Sequence, residues 1–154
     1  MKKILLLFLI FASQNSYALE SMWLDEVSKL SVDYRIVSAC GSWKAEDREG
    51  YYRLVLADVY RGAGSEIYVQ WISNPTQEKD AEVVKTLTFP ELNNDHSQYS
   101  FQTAECKKIG KFTYIKAKAS YEHDEEDLIH NISIKLIDIG KYELHDTIKK
   151  SAHR

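Results

Sequence analysis

Hydrophobic and polar residues alternate with a period of two along most of the chain after residue 31. The alternating segments are rich in β-branched and aromatic residues, which pack well on the pleated surface of a sheet. Such a pattern is typical of strands that are buried on one face. It predicts about eight β-strands, over residues 32–36, 51–60, 66–72, 83–89, 99–106, 112–121, 129–139 and 142–148.

Glycines mark tight connections between some of these strands. Gly62 and Gly64 separate segments 51–60 and 66–72, and Gly140 separates the last two segments, so both pairs are predicted to be hairpins. Parallel strands need crossover helices, and the pattern offers none after residue 31. We therefore expect a mainly β domain with a largely antiparallel sheet, arranged either as a sandwich or as a partly open barrel.

The N-terminal part of the chain has a different pattern. Within residues 19–30, Trp23, Leu24, Val27 and Leu30 fall on one helical face, which predicts one short N-terminal helix. Before it, two lysines precede an apolar run over residues 4–12, and small residues follow at positions 16 and 18. This order is typical of a secretory signal peptide, which we expect to be cleaved after residue 18.

The expected cleavage leaves a single domain over residues 19–154 and a secreted or periplasmic protein. The apolar run is too short to cross a bilayer, which needs about 20 apolar residues, so we expect no membrane span in the mature chain. In an oxidising compartment Cys40 and Cys106 are expected to form a disulfide bond. Closing a loop of this length stabilises the fold by about 4 kcal/mol in the chain-entropy treatment.

Composition and charge narrow the class of partner. The chain is 44% hydrophobic and 28% charged, which is typical of one soluble globular domain. Its formal net charge is −3, and it becomes −5 when the two lysines of residues 1–18 are removed. An acidic chain of this kind is not expected to bind nucleic acid through phosphate contacts.

Residues for catalysis are not arranged in a recognisable motif. Ser65, which follows Gly64, is the nearest candidate nucleophile, but its position shows no link to a histidine. The acidic residues on or beside strands are interpreted as surface charge; they include Asp58, Glu66, Glu105 and Asp138. We therefore expect a non-catalytic protein without a cofactor.

One acidic segment, over residues 122–127, is a candidate metal site, so a metal-dependent hydrolase is an alternative function. Its weak candidate ligands are Glu122, His123, Asp124 and, shortly after it, His130. The segment has no glycine for a calcium-binding bend and matches no defined ligand spacing. A solvated turn between two strands is the preferred interpretation.

Aromatic residues are the strongest indication of a binding surface. Stiff amphipathic side chains are enriched at interfaces and in ligand pockets, although many of them simply fill the core. The candidate binding residues are Trp43, Tyr51, Arg61, Tyr68 and Trp71. The leading hypothesis is a module that binds another secreted or periplasmic protein, for example as an inhibitor of a basic enzyme. The alternative is a carrier that holds a small ligand in an aromatic-lined barrel cavity.

Overall fold

The described part of the chain is almost entirely extended. A computed structural model describes residues 29–93, 99–121 and 128–150, in which residues from Ser31 onward form one compact unit. The predicted leader and most of the predicted helix lie outside these residues. The strands are β1 (Tyr34–Lys44), β2 (Glu49–Val59), β3 (Gly64–Ser73), β4 (Val83–Thr88), β5 (Tyr99–Ile109), β6 (Phe112–Tyr121), β7 (Leu128–Asp138) and β8 (Lys141–Lys150). Each predicted strand has a counterpart, but β1 begins at Tyr34 and continues to Lys44, beyond the predicted 32–36, because its outer part does not alternate in burial.

The strands form two antiparallel sheets of four, each in simple chain order. The first sheet is β1-β2-β3-β4 and the second is β5-β6-β7-β8. The predicted hairpins between β2 and β3 and between β7 and β8 are confirmed by their ladders. Within the described ranges no ladder joins one sheet to the other, so the sheets pack as a sandwich and do not close into a barrel.

The core lies between the two sheets and follows from the alternation. Every second side chain of a central strand faces inward and is buried, whereas most of its neighbours are half-buried or exposed. The largest fully buried side chains come from both sheets and from the segment after β4: Leu54, Leu56, Ile67, Val69, Trp71, Phe89, Phe101, Ile115, Ile132, Ile134 and Leu136.

The start of β5 is fastened to the first sheet by polar contacts. The backbone N–H of Phe101 donates to the buried hydroxyl of Ser65 at 2.8 Å, and the Arg35 guanidinium donates to the Phe101 carbonyl. Arg35 also pairs with Asp58, with Nε 2.9 Å from Oδ1. These contacts satisfy backbone groups of an edge strand where it crosses the other sheet.

Two further contacts hold the long edges together. Cys40 on β1 and Cys106 on β5 form the expected disulfide bond, with their Cα atoms 5.7 Å apart. On the opposite edge the Tyr142 ring of β8 packs edge-on against Phe89, and its hydroxyl donates to Glu91 at 2.7 Å. Partial burial and this hydrogen bond raise the pKa of Tyr142 to about 12.

Gly41 allows β1 to approach the second sheet closely. The register of β1 with β2 shifts between Cys40 and Ser42, and Gly41 has a φ of 55°. A Cβ atom at this position would lie 2.4 Å from Oγ1 of the buried Thr113. Only glycine therefore fits here without displacing the Thr113 side chain.

A matched pair of glycine variants separates this contact from backbone strain. Gly110 has a similar φ of 59°, but a Cβ atom there would meet nothing within 4 Å. We expect Gly110→Ala to lower the free energy of unfolding by about 1 kcal/mol and Gly41→Ala by about 3 kcal/mol. Urea titrations measure both values; equal losses would contradict the close approach of β1 to Thr113.

Candidate functional site

A cleft of about 630 Å³ lies at one end of the sandwich, and we call it the end cleft. It is formed where β1 ends, β2 begins and β3 ends in the first sheet. The β5–β6 turn and the β7–β8 turn close it from the second sheet. Its lining residues are Ser42, Trp43, Lys44, Glu49, Gly50, Tyr52, Trp71, Asn74, Lys108, Lys111, Phe112, Thr113, Leu136, Ile137, Asp138 and Ile139.

Aromatic side chains on neighbouring strands form the inner part of the end cleft. Trp71 is 0% exposed and Tyr52 is 5% exposed, although both line the cleft. Their rings pack edge to face, with centroids 5.5 Å apart. The two residues are cross-strand partners in the β2–β3 ladder, so the antiparallel register fixes this arrangement.

Trp43 is held in the cleft wall by backbone carbonyls. Its indole N–H donates to the carbonyls of Tyr51, at 3.1 Å, and Ile72, at 3.2 Å. A Cβ atom on Gly50 would lie 1.8 Å from the Ile72 carbonyl oxygen. Glycine at position 50 therefore leaves room for the carbonyl that orients the Trp43 indole.

The Trp71 indole N–H, in contrast, has no hydrogen-bond partner. It is the one buried side-chain nitrogen or oxygen without a partner among the residues that the structure describes. A buried donor left unsatisfied costs about 1–3 kcal/mol, and native proteins keep few of them. Because the nitrogen is also shielded from the cleft, an acceptor on a ligand reaches it only when neighbouring side chains move.

Charged side chains surround the mouth of the end cleft. Lys44 pairs with Glu49 at 3.5 Å, and Asp138 accepts a hydrogen bond from Lys141 at 3.0 Å. The acidic groups that line the cleft are thus paired with lysines. Lys108 forms no ion pair with any residue in the described ranges, and Lys111 lies over the Phe112 ring, 5.1 Å from its centroid. The balance at the mouth is therefore positive.

The titration of the cleft residues follows from these contacts. The hydrogen bond from Lys141, with a second one from the backbone N–H of Ile139, holds the pKa of Asp138 below its usual range. Burial raises the pKa of Tyr52, and the negative charge of Asp138 raises it further. At neutral pH the cleft therefore presents a neutral phenol beside an ionised carboxylate.

The five candidate binding residues are divided among three places. Trp43 and Trp71 lie together in the end cleft. Tyr51 and Tyr68 belong to the opposite, outward face of the first sheet, where the Tyr68 hydroxyl donates to Glu66. Arg61 lies in the connection between β2 and β3 with a φ of 60°. The cleft thus combines two of the five candidates.

Ser65 and the strand carboxylates have structural partners. The Ser65 hydroxyl accepts the Phe101 N–H, and the Tyr68 hydroxyl donates to Glu66. The remaining carboxylates are in ion pairs: Asp58 with Arg35, Glu105 with Lys107 and Asp138 with Lys141. None of these contacts forms a nucleophile–histidine pair.

Of the four weak metal candidates, only His130 can be placed. Glu122, His123 and Asp124 lie outside the described residues. His130 is buried at the far end of the sandwich, where its Nδ1 lies 2.6 Å from Oδ2 of Asp146 and its ring packs against Tyr99. Across the part of the chain that the structure describes, no group of three or more histidine, cysteine or acidic residues is close enough to hold a metal ion.

Several cleft residues were not recognised as binding residues from the sequence, namely Tyr52, Lys108, Lys111, Thr113 and Asp138. Lys108 and Lys111 flank Gly110 in the β5–β6 turn, and this glycine is the one local signal that would have placed them at a strand end.

No helix in the described ranges is long and apolar enough to cross a membrane. Comparison of the chain with protein-family models, curated proteins and solved structures found no match.

The two cleft tryptophans provide a matched test of the unsatisfied donor. Phenylalanine at either position removes the same volume, but only Trp43→Phe removes satisfied hydrogen bonds. We expect Trp43→Phe to lower the free energy of unfolding by about 2 kcal/mol more than Trp71→Phe. Chemical denaturation followed by far-ultraviolet circular dichroism measures the difference, and equal losses would show that the Trp71 N–H is satisfied.

Proposed function

We propose that this protein is an exported, non-catalytic binding module. Its end cleft holds a small molecule that combines a flat apolar body with an acidic group. The observation that carries this proposal is that Trp71, whose buried N–H has no partner among the described residues, lines an open cleft. A ligand that displaces the side chains covering this fixed donor gains a hydrogen bond that orients it, as the few polar groups of small-molecule pockets do.

The size of the end cleft supports a small ligand. Its volume of about 630 Å³ falls within the range of about 300–1,000 Å³ for small-molecule sites. Protein partners are usually bound over about 800 Å² of surface on each side, which a cleft of this kind does not offer. Of the two ligand classes considered from the sequence, we therefore favour the small molecule, held at the end of a sandwich and not inside a barrel.

The charge at the cleft mouth supports an acidic ligand. Lys44 and Lys141 are paired with Glu49 and Asp138, whereas Lys108 has no such partner in the described ranges. An anion near Lys108 would gain a favourable charge interaction next to a surface of low dielectric constant. The Trp71 N–H would donate to the same anion or to another acceptor of the ligand.

Export is supported by the cystine and by the N-terminal sequence. A disulfide bond between strands of the two sheets is typical of proteins that fold in an oxidising compartment. Residues 1–18 combine lysines, an apolar run and small residues in the order that a signal peptidase recognises.

Titration with paired aromatic probes tests the ligand class. We expect 2-naphthoate to bind at least tenfold more tightly than 2-naphthylmethylamine, because the two differ mainly in the sign of their charge. Trp71→Phe is expected to weaken binding of 2-naphthoate by about tenfold, as the loss of one hydrogen bond to a charged acceptor would do. Isothermal titration calorimetry measures both effects.

The second variant is Lys108→Gln combined with Lys111→Gln. Its control is Lys79→Gln combined with Lys149→Gln, because both of these lysines lie outside the cleft lining and away from the turns that close it. The first variant should remove the preference for 2-naphthoate, and the control should keep it. Equal binding of the two probes by the wild-type protein would overturn the proposal.

Analysis of the protein recovered from its host tests export separately. We expect intact-mass measurement to find a chain that begins at Leu19 and lacks the two thiol hydrogens of a Cys40–Cys106 bond. A chain that retains residues 1–18 with both sulfurs reduced would contradict export while leaving the cleft proposal in place.

A further inference from the structure

A second site lies on the outward face of the second sheet, away from the end cleft. There the four strands form a shallow groove of about 430 Å³, which we call the lysine groove. Its lining residues are Thr103, Glu105, Lys107, Lys116, Ala117, Lys118, Asn131, Ile132, Ser133, His145 and Thr147. With strands about 4.8 Å apart, the groove extends about 14 Å across the sheet.

The strand register arranges the polar side chains of the lysine groove in rows. Lys116 on β6 lies between Glu105 on β5 and Ser133 on β7. The next row places Lys118 between Thr103 and Asn131. His145 and Thr147 on β8 extend the two rows. Two lysines at neighbouring outward positions of a central strand are thus surrounded by hydroxyl, amide and imidazole groups.

The acidic groups on this face are already engaged. Glu105 pairs with Lys107 at 2.8 Å, and Glu143 in the following row pairs with Lys135 at 2.9 Å. The Lys116 ammonium donates to the Ser133 hydroxyl at 2.6 Å, a neutral partner. Neither Lys116 nor Lys118 forms an ion pair with a carboxylate in the described part of the chain. Two like charges are therefore held on one face by the sheet, at a cost that a bound anion would reduce.

The second sheet differs in net charge from the chain as a whole. The strands of the second sheet contain eight lysines and four acidic residues, a net charge of +4. The complete chain has a net charge of −3. The strands of this sheet are therefore more positive than the chain as a whole, although Lys108 belongs to the end cleft and the acidic segment 122–127 joins β6 to β7. On the outward face, Lys116 and Lys118 are the lysines that attract an anion locally.

We infer that the lysine groove binds an acidic polysaccharide, with its sulfate or carboxylate groups near Lys116 and Lys118. The side chains of Thr103, Asn131, Ser133 and Thr147 offer both donors and acceptors, which suit the hydroxyl groups of sugars. The end cleft is not part of this site, so the inference does not depend on the ligand of the cleft.

The aromatic residues beside the groove disfavour single-stranded nucleic acid as the ligand. Such ligands bind by stacking bases on exposed aromatic rings. Here the Tyr114 ring has the Lys116 ammonium 5.3 Å from its centroid, and the Phe112 ring has Lys135 at 4.4 Å. Lysines thus already lie over the two rings, which leaves neither of them free for a base to stack on.

The test uses the full mature chain and three probes: a heparin octasaccharide, an uncharged dextran oligosaccharide of equal length, and an eight-nucleotide oligo(dT). We expect the octasaccharide to bind at 20 mM salt and to bind less tightly at 150 mM salt, as screening requires. Dextran should show no measurable binding. Calorimetric titration reports all three, and tighter binding of oligo(dT) than of the octasaccharide would overturn the inference.

Variants localise the binding to the lysine groove. Lys116→Gln combined with Lys118→Gln should weaken octasaccharide binding at least tenfold. The control, Lys79→Gln combined with Lys85→Gln, removes the same charge from the first sheet and the loop before β4, outside the groove, and should change binding less than twofold. Lys116→Arg combined with Lys118→Arg keeps the charge and should retain binding, and its circular dichroism spectrum verifies the fold. Equal losses in the first variant and the control, or no binding by the wild-type chain at 20 mM salt, would overturn the inference.

Discussion

The docking of the two sheets depends on the hydrogen bonds made by the backbone N–H and carbonyl of Phe101. The N–H of this residue donates to the buried Ser65 hydroxyl, and its carbonyl accepts from Arg35. Both groups would otherwise lie unpaired where β5 crosses the first sheet, at a cost of about 1–3 kcal/mol each. The Phe101 side chain is fully buried at the same point. The hydrogen bonds of its backbone and the burial of its ring therefore favour the same relative position of the two sheets.

The end cleft is a consequence of this docking. The sheets are tied along one long edge by Cys40–Cys106 and along the other by the contact of Tyr142 with Phe89. At the end of the sandwich formed by the β5–β6 and β7–β8 turns, the inward aromatic residues of β2 and β3 form the wall of an open cleft. The same frame presents the outer face of the second sheet, so one small scaffold carries two separate depressions, the end cleft and the lysine groove.

Local pattern determines the strands, whereas the sites depend on contacts between distant parts of the chain. Alternation such as Leu54–Leu56 or Ile132–Ile134 indicates which side chains face inward, and it located seven strands closely. It found only the start of β1, because residues 37–44 are mostly exposed and do not alternate. Alternation does not indicate which strand edges pair, so it is equally compatible with a sandwich and a barrel; the ladders decide for two separate sheets. Trp43 and Trp71 are candidate binding residues because they are aromatic. No neighbouring sequence indicates that the Trp43 indole N–H is hydrogen-bonded and the Trp71 indole N–H is not.

The chain order of the strands has a consequence for synthesis and maturation. All ladders of the first sheet lie within residues 34–88, so that sheet can form while the second is still being made. Cys40 then remains a free thiol in the partly folded chain until β5, which contains Cys106, has been made. During this interval the Cys40 thiol can form mixed disulfides with other thiols. Formation of the native Cys40–Cys106 bond requires that the two sheets have docked.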